Sequence, residues 1–175
     1  MKGLVIQNPW LWCTTRAAAD DQAKAVENRT WTTPYRGDVA LIEGRRLDAD
    51  AWDGSHAPLI RAARQRWWKT QSLGPQVGPW PWETTRGAVV AVARLADVCG
   101  TCAGRATTMH CCSPWAVTGH HYHWRWQDMR LLAEPVPLRG WQRLRDLPAD
   151  VEAAVREQLA RPAERLGQIL PFRAR

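Results

Sequence analysis

The sequence predicts an α+β fold built on a small, strongly curved sheet, and three observations lead there. Strand-like apolar runs are dispersed among helical stretches along the whole chain. The 175 residues suit one hydrophobic core with decorated loops. The apolar share, 45%, is that of a folded protein, and the chain carries no internal repeat that would suggest a solenoid.

Taken in order, Gly3 to Gln7 reads as a short opening strand. Pro9 suits the first turn of a helix through Trp10, Leu11, Trp12 and Cys13 to about Ala19. Ala25 to Thr30 is extended, with Val26 alternating against Glu27. The turn Pro34-Tyr35-Arg36-Gly37 leads into Asp38 to Ile42, a strand apolar on both faces. A short helical piece follows at Ala49 to Trp52, then a longer one from Ala57 to about Thr70. The longer helix places Leu59, Ala62 or Ala63, and Trp67 on one face, with Arg61, Arg64, Gln65 and Arg66 mostly outside.

Residues 71–81, rich in proline and glycine, read as a loop. Gly87 to Val98 is the clearest strand. Residues 99–121 lack periodicity and are expected to form a long cysteine-rich loop. His121 to Leu132 returns to strand character, and Gly140 to Leu144 suggests a last short strand. Pro148 to Leu159 closes as a helix, with Asp150 and Glu152 in its first turn and Val151, Val155 and Leu159 on one face. The chain is expected to divide into a domain over 1–160 and a basic tail over 161–175.

Lysine and arginine total 24 against 17 acidic residues, a surplus of seven that favours an anionic partner. Most of that charge is arginine, whose planar fork grips phosphate and stacks on bases. Twelve tryptophans stand against one phenylalanine. Tryptophan suits cores and base-stacking clefts equally, so most must be packing and only a few can line a site. No apolar run approaches the roughly 20 residues that span a bilayer. Five cysteines, an odd set with no signal-peptide pattern at the start, lead us to expect reduced thiols and a cytoplasmic protein.

Three segments together resemble the ASCH family of the PUA-like superfamily. They are Gln7-Asn8-Pro9-Trp10; the stretch Lys24 to Trp31 followed by Tyr35-Arg36-Gly37; and Trp124 to Leu132 followed by Glu134-Pro135-Val136-Pro137 and Gly140. The stretch from Lys24 is similar to the family's lysine, glutamate, arginine signature, with Gln22 where the family has glycine. The resemblance implies a PUA-like β-barrel flanked by helices, related to domains that bind RNA or modified bases. Acetylcytidine amidohydrolases of the family use a lysine, a threonine and a glutamate. Lys24 matches the lysine, and Glu27 stands where the threonine would be. Other members are metal-dependent ribonucleases.

The residues offer their own candidates. On an extended segment Glu27 and Arg29 share a face, and Lys24, from the turn before, can swing its stem into the same cleft. That trio suits gripping a phosphate and a base edge, or moving a proton, or simply a structural ion-pair network. Trp10, Trp31, Tyr35 and Trp124 lie nearest these segments, with Arg36 beside them. Trp31 and Tyr35, flanking a turn, are the better candidates for a cleft, whereas Trp10 and Trp124 occupy common packing positions. Cys99 and Cys102, with His110, Cys111 and Cys112, have thiolate spacing that suits a structural zinc, against the alternative of a loop of reduced cysteines. His120, His121 and His123 cluster beside Trp124. The expected function is a module holding RNA, DNA or a modified nucleoside in a basic aromatic cleft. The alternative is a hydrolase of a modified nucleoside, like the acylcytidine amidohydrolases, or of an RNA phosphodiester, like the metal-dependent ribonucleases, with Lys24 and Glu27 as its acid–base pair. A third reading is a protein-interaction domain whose cleft is vestigial.

Overall fold

The structure is a computed structural model describing residues 1–15, 24–70 (side chains to 67), 86–100, 113–119 and 121–161. The strands are β1 Lys2–Asn8, β2 Val26–Arg29, β3 Gly37–Leu47, β4 Ala88–Cys99, β5 Tyr122–Pro137 and β6 Arg145–Asp146. The helices are α1 Trp10–Thr15, α2 Ala57–Thr70 and α3 Ala149–Ala160, with a 3₁₀ turn at Ala49–Trp52. The molecule is α+β, as its mixed pattern predicts.

The six strands form one mixed sheet in the order β2-β5-β4-β3-β1-β6. β1 runs parallel to β3, and every other pairing is antiparallel. The central strands are apolar on both faces because both are covered. Val39 to Ile42 of β3 and Val89 and Ala91 to Ala93 of β4 are fully buried. Alternate residues divide between two layers. Leu4, Ile6, Val39, Leu41, Trp124 and Trp126 pack on one side, and Ala40, Ile42, Val89 and Val92 meet Val151 and Val155 of α3 on the other. A third cluster joins α1 to α2 through Trp12, Cys13, Ile60 and Ala63, with Val26 and Trp115. The buried stripe of α2 therefore centres on Ile60 and Ala63, while Leu59 and Trp67 flank it half-buried.

The expected closed barrel is not what forms. β2 and β6 stand at opposite edges of an open sheet, and neither pairs with the other. With four and two residues they are too short to build the continuous ladder that closure needs. Curvature is nonetheless strong. Register breaks interrupt β1–β3, β3–β4 and β4–β5, and such irregularities bend a sheet. The two ends come close enough for the Arg29 guanidinium on β2 to donate to the Val5 carbonyl on β1 at 2.8 Å. One side chain crosses a seam that backbone pairing leaves open.

Two further expectations are corrected. The last strand is Arg145–Asp146 rather than Gly140–Leu144, because Gly140 and Trp141 lie over β1 against Val5 and Gly3 instead of pairing beside it. β5 runs well past Leu132 to Pro137. Of the cysteine-rich stretch only 99–100, 113–119 and 121 are described, with Trp115 and Ala116 buried. Among the described residues no helix is long and apolar enough to cross a membrane.

Candidate functional site

The seam between β2 and β1 holds a cleft of about 460 Å³. Its lining is Val5, Gln7, Trp10, Glu27, Arg29, Trp31, Trp141, Gln142 and Arg143. Three tryptophans, two arginines and one carboxylate thus face a space of nucleoside size.

β2 supplies the charged wall. Glu27 pairs with Trp124 and Arg29 with Tyr122 on β5, so the two lie two residues apart on one face. Lys24, just before the strand, turns its stem back beneath them. Its ammonium donates to Glu27 Oε2 at 2.6 Å and to the Val26 carbonyl at 2.7 Å. Arg29 lies 3.2 Å from Glu27 Oε1 and spends its other contact on Val5. Lys24 is only 1% exposed and Glu27 7%. The carboxylate is thus clamped between two cations, one buried behind it and one at the cleft wall. The intervening residues face away: Val26 enters the core, and Asn28 bonds the Trp115 carbonyl and the Val117 amide, fixing the strand to the loop behind.

β1 and α1 supply the opposite wall. Asn8 ends β1 and organises the turn. Its Oδ1 accepts from the Trp12 amide at 3.1 Å, satisfying a first-turn donor of α1, and its Nδ2 donates to buried Glu43 at 2.6 Å. Trp10 is held by an indole bond to Asp48 at 2.7 Å and by an edge contact with His56. The third wall is the segment Trp141-Gln142-Arg143. Its Arg143 adopts a left-handed backbone at φ 64°, uncommon for a non-glycine residue.

The cleft brings together Trp10, Glu27, Arg29 and Trp31 of the sequence candidates, with Lys24 directly behind. Trp124 is fully buried; it packs edge-on under Trp31, with ring centroids 4.6 Å apart, and donates to the Trp31 carbonyl. It supports the cleft without lining it. Tyr35 and Arg36 lie elsewhere: the Tyr35 hydroxyl donates to the Asp38 carbonyl, and Arg36 folds onto the Thr33 and Tyr35 carbonyls near Asp97. Trp141, Gln142, Arg143 and Gln7 were missed as site residues. The signal for Trp141, Gln142 and Arg143 was the polar and aromatic run directly after Gly140, where a bare glycine lets the loop lie on Val5: an added Cβ would come within 2.8 Å of Val5 Cγ2.

His123 is fully buried, its Nε2 2.8 Å from the Val117 carbonyl, and it pairs in register with Cys99. Among the described residues no group of three or more ligand-type side chains could hold a metal. Cys102, His110, Cys111, Cys112 and His120 lie outside the described residues, as do 162–175 of the expected tail.

No protein-family model matches the chain, and no curated protein matches it in sequence. Function therefore has to be read from the cleft's own chemistry.

Proposed function

We propose that the chain is an ASCH-like, PUA-like binding module whose seam cleft holds one base or nucleoside unit of an RNA or DNA strand, including a modified base. The observation that supports this most is the lining: Trp10, Trp31 and Trp141 line the cleft together with Arg29 and Arg143. Base–aromatic stacking contributes about 1–3 kcal/mol per base, and arginine adds phosphate contact. Gln7, Gln142 and Glu27 supply the few polar groups that fix orientation in such a site.

The hydrolytic alternative would use Lys24 and Glu27 as an acid–base pair. Against it weighs the clamp: Lys24 is shut away from the cleft, and each Glu27 oxygen already meets a cation. Glu27 lines the cleft, but an acid–base pair needs both members within reach of the substrate, and Lys24 does not line it.

Titration calorimetry with the four nucleoside monophosphates and with short RNA and DNA strands tests the binding reading. Trp31→Ala should weaken the bound species by about 1–3 kcal/mol. Absence of binding by every nucleotide and strand would defeat it. So would turnover of acylated cytidine or RNA, with or without divalent metal, that disappears in Glu27→Gln. Structural zinc on Cys99 and Cys102, completed by His110 and either Cys111 or Cys112, is a separate proposal. Elemental analysis of dialysed protein should find about one equivalent of zinc, and finding none would remove it.

A further inference from the structure

From an arginine track that lies outside the cleft and runs into it, we infer that the natural ligand is a polynucleotide single strand rather than a free nucleotide. This rests on the binding reading above and extends it from one base to the backbone that carries it.

Three arginines gather where β3 ends and β4 begins. Gly87 donates its amide to the Glu43 carbonyl, and its own carbonyl accepts from the Leu138 amide. This places Arg86 and Arg139, the residues next to Gly87 and Leu138, at one junction. Arg45 covers the same point: a Cβ built on Gly87 would lie 3.2 Å from Arg45 Nε. From Leu138 the chain crosses β1, with Gly140 on Val5 and Trp141 on Gly3, and reaches the cleft at Gln142 and Arg143. Arg45, Arg86, Arg139 and Arg143 therefore mark a path from the β3–β4 end to the aromatic opening.

All four are exposed, and none makes a hydrogen bond or ion pair among the described residues. By contrast Arg36 and Arg125 flank Asp97, Arg130 pairs with Asp38, and Arg156 and Arg161 pair along α3 or just beyond it. Unpartnered guanidinium groups brought together repel one another unless an anion lies between them. A row of such groups leading to stacking faces matches a sugar–phosphate backbone whose base enters the cleft. An anionic membrane fits less well. Surface binding needs an apolar face to insert, and Leu47 is the sole exposed large hydrophobic side chain among the described residues.

The test compares the full chain with the triple variant Arg45→Gln, Arg86→Gln, Arg139→Gln, none of which lines the cleft. Arg94→Gln, an exposed arginine elsewhere on β4, serves as the charge control. Probes are labelled oligo(U) and oligo(dU) of about ten nucleotides, the nucleoside monophosphates, and vesicles containing phosphatidylserine. On single strands each neutralised phosphate contributes about 0.7 to the slope of log affinity against log salt. Losing three contacts should flatten the oligonucleotide slope by about 2, leave monophosphate affinity unchanged, and exceed any effect of Arg94→Gln. Oligonucleotide binding that depends on the track while no monophosphate binds would sustain the track and overturn the cleft reading instead. Wild-type slope and affinity in the triple variant would overturn the track. So would an equal loss in Arg94→Gln, or a stronger preference for the vesicles than for either oligonucleotide.

Discussion

Lys24 shows how far residue chemistry was legible and where it needed the fold. The spacing of Glu27 and Arg29 placed both on one strand face without a structure. That Lys24 would be buried behind Glu27, rather than presented beside it, depended on α1 and the core cluster beneath, which no local pattern encodes. Burial changes what its removal does. Deleting Lys24 removes a charge-assisted hydrogen bond to Glu27 while Arg29 stays 3.2 Å from the carboxylate, a loss of about 1.5–3 kcal/mol. Lys24→Met should therefore lower stability in urea by about that amount, and adding Glu27→Gln should cost much less than the sum of the two single changes. Strict additivity would mean that the two groups do not interact. Cys13 follows the same logic in a neutral group. Burial pushes its thiol up to about 12, against smaller opposing pulls from Lys24 and Arg66. The native protein should leave Cys13 unalkylated at mildly alkaline pH, where a free thiol reacts. The sign for stability follows from the raised value. The contribution is fully present below the ordinary thiol pKa of 9.0 and is lost as pH climbs from there toward about 12. Rapid native-state labelling of Cys13 would contradict this.

At the level of elements, strands and helices with strong periodicity were readable and the edges were not. β3 and β4 announced themselves by unbroken apolar runs, and α2 by its 3.6-residue stripe. Arg145–Asp146 has neither signal: two polar residues join the sheet only because β1 offers an edge there. The barrel expectation failed for a related reason, since closure depends on edge lengths and register breaks that a family likeness does not transmit. Asn8 is the hinge between a legible element and an illegible site. It caps α1 and also bonds buried Glu43, so it holds the helix bearing Trp10 at its angle to β1. Asn8→Ala removes a cap and one donor to a buried carboxylate, and should lower stability by about 2–4 kcal/mol. Nucleotide binding should weaken with it because Trp10 is displaced. A stability loss below about 0.5 kcal/mol, the usual reach of a surface change, would show that α1 is fixed by packing alone.

For the molecule as a whole, the open seam couples stability to occupancy. The sheet's two ends are joined across the cleft by the Arg29 bond to Val5, and any ligand seated there touches β1 and β2 together. Binding only the folded chain then stabilises it, by about 2.7 kcal/mol at a hundredfold excess over Kd. A domain of this length gains roughly 2–4 °C per kcal/mol, so the melting midpoint should rise by roughly 5–10 °C. Arg29→Leu separates the two contributions. It removes the bridge to the Val5 carbonyl and one of the two cations on Glu27, so the free protein should melt lower than wild type. With the seam slackened, walls carrying Trp31 on one side and Trp10 on the other no longer hold a fixed gap. The nucleotide-dependent rise should shrink as well as start from a lower midpoint. A variant that melts lower yet shows the full ligand shift would mean that the walls keep their spacing without Arg29. The bridge would then be a structural tie only, and the base would be held by the tryptophans and Arg143 independently of it.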